Sequence, residues 1–204
     1  MFTDRFLIGV DLAWKRGKSS FFVVVSEDLK VLYASTFYEY ADFFTEIKGF
    51  QGILNVFVDA PLCVEKNLKF RSCDKLFLKA RIPILPVNES IIKTKYSPFS
   101  ALSFREFLES RGFKYCGSFD ENSFFEVYAF GNAALTFGFK NKREFLKSWR
   151  EAFQSLGFYN LDMIKSHHHI DALACVLPYF MEKWEFPVFK LLKEGEYCIF
   201  IPGE

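Results

Sequence analysis

Phe6-Leu7-Ile8-Gly9-Val10-Asp11-Leu12-Ala13-Trp14 is an apolar run with a carboxylate inside it, and the basic turn Lys15-Arg16-Gly17-Lys18 follows. A run of this length bounded by turn residues reads as a buried strand, with its acid at the strand's end. An ionised Asp is rarely buried without a partner, because desolvating the charge costs several kcal/mol or more. Asp11 therefore calls for a metal, another cation or a helix N-terminus, or else it caps the turn that follows.

The pattern returns at Phe57-Val58-Asp59-Ala60-Pro61-Leu62, where residues 53–58 read as a buried strand that Pro61 stops. Between the two, residues 20–26 and 31–37 read as β-branched and aromatic strands. Glu27-Asp28-Leu29-Lys30 joins them, so the first three strands form an antiparallel meander. Phe43, Phe44, Ile47 and Phe50 have helical spacing within residues 40–50, with Gly49 and Gly52 to end the helix. Beyond Asp59 come a helix from 64 or 72 to 79, an irregular stretch over 82–87 and a helix over 103–111. A strand over 124–128 contains Glu126, and an amphipathic helix covers 141–156. A last long helix over 166–183 should kink or break near Pro178, and an edge strand over 197–201 ends the chain. This order predicts an α/β fold with a mixed sheet flanked by helices. It fits one domain over residues 1–204, with an inserted helical and irregular segment around 64–122.

Half of the 204 residues are hydrophobic and 28 are Phe, which is ample for a filled core. A formal net charge of +1 gives no global argument for nucleic acid, a membrane or acidic partners. Charge is uneven, however. Lys66, Lys69, Arg71, Lys75, Lys79, Arg81, Lys93 and Lys95 face only Asp74 and Glu89, which makes either a phosphate-binding face or a solvated helix face. Arg71, Asp74, Leu78 and Arg81 recur at helical spacing, so Arg71 and Arg81 could clamp a phosphate while Asp74 orients them. Five scattered cysteines with no CxxC pair argue against a disulfide framework and against structural zinc; each reads as a small buried hydrophobe. The N-terminus lacks a signal-peptide pattern, and no apolar stretch reaches the roughly 20 residues needed to span a bilayer. The simplest expectation is a soluble, cytoplasmic protein.

Asp11, Asp59 and Glu126 lie at or near strand ends, and Asp171 sits in His167-His168-His169-Ile170-Asp171-Ala172-Leu173-Ala174-Cys175. The small residues there let a helix approach a sheet closely. Converging carboxylates repel one another, and hard divalent cations such as Mg²⁺ or Mn²⁺ relieve that repulsion. Two ions about 4 Å apart can activate a water and stabilise the leaving oxygen in phosphodiester cleavage. His168, one turn before Asp171, shares its face and could serve as proton shuttle or outer-shell ligand, whereas His167 and His169 read as ordinary exposed or satisfied histidines.

These pieces, in order along nearly the whole chain, resemble the DUF429 proteins, a family of predicted nucleases with a ribonuclease H-like fold. The resemblance is carried by Gly9-Val10-Asp11-Leu12-Ala13-Trp14, Val58-Asp59-Ala60-Pro61-Leu62, Arg71-Ser72-Cys73-Asp74, Ile82-Pro83-Ile84-Leu85-Pro86, Phe125-Glu126-Val127-Tyr128, His169-Ile170-Asp171-Ala172-Leu173-Ala174 and Glu194-Gly195-Glu196 to Pro202. It implies a ribonuclease H-like α/β fold with Asp11, Asp59 and Asp171 as metal-binding acids and Glu126 as a possible fourth. One or two Mg²⁺ or Mn²⁺ ions would be held there. Holliday-junction resolvases of that superfamily carry a His-x-x-Asp-Ala-Leu-Ala pattern, which falls here on His168 and Asp171. This chain departs from the family in having His169 where many relatives have an acid, and Ala129 where Pro usually follows Glu-Val-Tyr.

The expected function is hydrolysis of phosphodiester bonds in nucleic acid by metal-activated water, with Arg71, Asp74, Arg81 and Lys15 meeting the substrate. One rival is an actin-like phosphotransferase, which needs small residues after the first Asp, where Trp14 stands. The other is a binding module that kept the fold and lost the chemistry. Near-neutral charge favours it, and retention of all four acids opposes it.

Overall fold

The computed structural model describes residues 4–64, 70–84, 87–96, 100–194 and 197–203. Lys66 and Lys69 of the basic stretch, the side chains of Lys93 and Lys95, Leu85-Pro86 and Gly195-Glu196 lie outside the described residues.

β1 (Arg5–Asp11) is central because both its faces are apolar: Leu7, Ile8 and Val10 are fully buried. β2 (Ser20–Ser26) pairs with it antiparallel, and β3 (Val31–Phe37) pairs with β2 in the same sense, which completes the expected meander. Leu29 takes a left-handed φ of 69° to close the turn between them. α1 (Tyr40–Ile47) buries Phe43 and Ile47, as its spacing predicts. β4 (Ile53–Asp59) then returns parallel to β1.

α2 (Ser72–Lys79), α3 (Glu89–Lys95), α4 (Ser100–Ser110) and the two-residue β5 (Lys114–Tyr115) lie between β4 and β6 (Ser123–Val127). Glu89–Lys95 is a helix that the sequence reading left out; Asn88 caps it by accepting a hydrogen bond from Ile91 N. α5 (Ala129–Phe137) is also new, and α6 (Lys142–Ser155) matches its expected bounds within two residues. The predicted last helix is two helices, α7 (His167–Ala174) and α8 (Leu177–Lys183). Pro178 causes the break and sits in the first turn of α8, where its missing N–H costs nothing. β7 (Phe189–Glu194) and β8 (Tyr197–Pro202) end the chain. The closing strand was expected at an edge; β7 covers it instead, and the Lys-bearing β7 is the edge.

The result is an eight-stranded mixed sheet in the order β3-β2-β1-β4-β6-β8-β7, with β5 beside the start of β6. Helices flank both faces, consistent with a ribonuclease H-like α/β fold. On one face Phe43 of α1 and Phe104 of α4 pack over Ile8, Val10, Val56 and Val58. On the other, α5 to α8 cover Leu7, Phe57 and Phe125. Each fully buried Phe contributes about 1.5–3 kcal/mol, so the aromatic richness of the sequence is spent in these two layers. Cys63, Cys73 and Cys175 are buried thiols as expected, whereas Cys116 is disulfide-bonded. Among the described residues no helix is long and apolar enough to cross a membrane.

Gly9 sets the distance between α7 and β1. A Cβ there would stand 1.8 Å from Ala172 O and 3.2 Å from Cys175 Cβ. Any side chain at this position would push the helix off the sheet, and with it the acid that the helix carries.

Candidate metal centre

Asp11 and Asp59 are the last residues of β1 and β4 and stand opposite each other in the parallel register. Their side chains leave the same edge and the same face, the one against which α7 packs through Gly9. Ser166 caps α7 by accepting a hydrogen bond from His169 N, and the close approach at Gly9 brings Asp171 down towards the strand ends. Asp11, His168 and Asp171 each offer a donor atom within 4.8 Å of the others. Asp59 stands beside this set, near enough that Asp11 and Asp171 add to the effect of burial on its carboxyl.

Each member is held differently. His168 Nδ1 and Asp11 Oδ2 share a hydrogen bond (2.7 Å), in which Nδ1–H donates to the ionised Asp11, and the His168 ring stacks on Phe21 with centroids 4.5 Å apart. That bond leaves Nε2 as the nitrogen able to take a proton or a ligand. Asp171 Oδ2 accepts from Lys142 Nζ (2.7 Å), while Asp171 Oδ1 is buried and has no hydrogen-bond partner among the described residues. Such an atom carries the full cost of desolvation unless something satisfies it. His169 is buried and satisfied, between Ser166 Oγ and Ser35 O. His167 lines the cleft beside His168, so two of the three histidines face it and not the single one expected.

Burial first, and then the neighbouring Asp11 and Asp171, hold the Asp59 carboxyl well above its ordinary range. Burial and Asp171 raise Asp11 likewise, against the pull of His168 and Lys142. Lys142 is lowered by burial but raised more by Asp171, Asp59 and Asp11, so its ammonium is strongly retained. The pocket thus gathers more acids than its own cations can hold ionised. An orphaned carboxylate oxygen with mixed O and N donors beside it fits a divalent cation.

The raised acids have a consequence for stability. The folded protein keeps protons that the unfolded chain releases, so stability falls as pH rises from the ordinary carboxylate value through the raised folded one. Asp59→Asn removes one such group while keeping an acceptor oxygen. In chelator, the variant should be more stable than wild type at pH 7–8 and should show a shallower decline across this window. Urea unfolding at a series of pH values checks this; an unaltered slope would contradict the assignment.

Glu126 stands outside the Asp11–His168–Asp171 set, although it lines the same cleft. It pairs with Val58 in the register, one residue short of Val127 opposite Asp59, so the strand's alternation turns it to the other face. There Arg71 Nη2 donates to Glu126 Oε1 (2.6 Å) and to Asp74 Oδ1 (2.8 Å), and Arg71 Nη1 donates to Cys63 O (3.1 Å). Leu62 N donates to Glu126 Oε2. Arg71, Asp74 and Glu126 are all buried, so in place of an exposed helix face they form an ion-pair network, of which Arg71 and Glu126 border the cleft. Arg71 is the N-cap of α2, not part of its exposed face. Arg81 lies past the helix end at φ 61°, exposed, and Lys15 is exposed on the turn after β1.

Lys142 is the residue that sequence reasoning missed. A signal was present: a lysine in the first turn of a helix opposes the helix dipole, which marks it as held there for another reason. Asp11, Asp59, Asp171, Lys142 and the two histidines line a cleft of about 530 Å³ together with Arg71 and Glu126, and Trp14, Pro61, Pro83, Ile84, Val87 and Phe130 give it an apolar wall. Searches of protein-family models, curated proteins and solved structures find no match to this chain.

Proposed function

We propose that this chain is a divalent-metal-dependent hydrolase of phosphodiester bonds in nucleic acid, as the resemblance to the DUF429 proteins also implies. The observation that carries the reading is the convergence of Asp11, Asp59 and Asp171, the last with a buried carboxylate oxygen that has no partner among the described residues. Asp11, Asp171 and His168 would hold the ion, and Asp59 would complete its surroundings. A bound divalent ion supplies positive charge against phosphoryl oxygens and acidifies a water.

The chain's own groups do the rest. His168, fixed by Asp11 and by the Phe21 stack, keeps Nε2 as its nitrogen for the ion. The apolar wall beside Trp14 limits water at the reacting end and gives a base a surface to lie on. The exposed Lys15, Arg16 and Lys18 after β1, and Lys140 and Arg143 beside Lys142, supply cations for the phosphates that flank the scissile bond. The cleft has the volume of a small-ligand pocket, so it suits a single strand entering end-on or through an unpaired nucleotide.

The test is hydrolysis of single-stranded oligonucleotides with Mn²⁺, with Mg²⁺ and with chelator. Cleavage is expected with metal alone, and faster with Mn²⁺, because an imidazole among the donors suits it better. Mn²⁺ binding with no cleavage of any phosphodiester would favour the binding module. Equal cleavage in chelator would refute metal dependence.

A further inference from the structure

Lys142 Nζ sits 2.7 Å from Asp171 Oδ2, yet its side chain is half exposed and lies along the cleft. Asp171 itself is 3 % exposed, with its second oxygen unpartnered among the described residues. The ammonium therefore occupies one side of the acid pocket and leaves the other side unsatisfied. α6 begins with Lys142 and Arg143, two cations where the helix dipole favours anions. Arg143 is exposed, whereas Lys142 alone reaches an acid of the cluster. A long, flexible stem at a cleft wall can deliver its charge to more than one place.

We infer that Lys142 is the pocket's own counter-cation, displaced from Asp171 by an incoming divalent ion and then bound to a phosphoryl oxygen of the substrate. The inference rests on the metal-dependent reading above. Lys142 and the metal compete for Asp171, so the lysine weakens metal binding when no substrate is present. Once released, it stands at the same cleft end with three donor hydrogens and no acid partner, which suits a phosphate. The same residue then opposes metal entry and favours substrate.

Mn²⁺ binding to the wild type, Lys142→Met and Arg143→Met, followed by calorimetry at pH 8, tests the first half. Lys142→Met should bind Mn²⁺ about fivefold more tightly than wild type, the scale of a half-exposed ion pair. Arg143→Met removes the same charge from the same helical turn and should change affinity by about twofold at most. Equal affinity in wild type and Lys142→Met would overturn the inference and leave the metal site standing. An equal gain in both variants would also overturn it, because bulk charge would then account for the effect. Failure of all three to bind Mn²⁺ would remove the metal reading and this inference together. The second half is read with adenosine 5′-monophosphate on the Mn²⁺-saturated proteins. Wild type should bind it about fivefold more tightly than Lys142→Met, and equal affinities would overturn the phosphate role.

Discussion

Asp171→Asn is expected to abolish the proposed hydrolysis while the protein stays folded. Asn has nearly the same shape, and α7 keeps its approach through Gly9. What disappears is one negative charge and the strongest acceptor facing the pocket. Lys142 loses its partner, but that pair is half exposed and worth under about 1 kcal/mol. Removing charge from a crowded acid cluster works in the other direction, since Asp171 is among the groups that raise Asp59 and Asp11. Unfolding by urea should therefore be little changed, or shifted slightly towards greater stability. Loss of a group that only orients a ligand costs roughly 10–100-fold in metal affinity or activity. Loss of a ligand itself should exceed this, so kcat/KM with Mn²⁺ should fall by more than about a hundredfold. Asp162→Asn changes the same charge on an exposed acid remote from the cleft and should leave kcat/KM unaltered. Full activity in Asp171→Asn would eliminate this cluster as the reacting site.

Asp11, Asp59 and Asp171 were legible in the sequence because each sits in an unmistakable context. Two end apolar strands, and the third lies in a helix whose small neighbours announce a close approach. Glu126 is less legible because a position near a strand end is not the strand's last residue. A shift of one residue reverses the face, and only the register with β4 shows that Val127, not Glu126, stands opposite Asp59. Arg71 and Asp74 misled for a related reason: their i, i+3 spacing reads as an exposed helix face, but the helix starts one residue after Arg71. α5 was hidden by its composition. Gly131 and Asn132 are poor helix formers, and the helix exists because Phe130 and Ala133 pack into the core. β7 was hidden by its charges, which belong to an edge and cannot be assigned as such until β8 is placed inside it. The elements that were missed are those that tertiary packing creates.

Arg71→Met separates the two readings of that arginine most sharply. A substrate clamp would lose affinity for phosphate and keep its stability. The observed network predicts the reverse order of effects. Arg71 is buried, and its guanidinium is shared by Asp74, Glu126 and Cys63 O. Burial, with a smaller push from Asp74, drives the Glu126 carboxyl upward, and Arg71 is the main group that opposes it. Met fills much the same volume but leaves two buried carboxylates with no cation, a loss of about 3–5 kcal/mol. Glu126 also accepts from Leu62 N, three residues past Asp59, so its protonation or movement would loosen the turn that follows β4. Arg71→Lys should recover little, because one ammonium cannot reproduce the forked contacts to both acids. Arg71→Met combined with Glu126→Gln should recover part of the loss, since it withdraws one of the stranded charges, and the double-mutant cycle should show a coupling energy of about 1–3 kcal/mol. Urea unfolding of the four proteins measures it. Normal stability in Arg71→Met with a selective loss of nucleotide binding would restore the clamp and discard the network as its reason for being there.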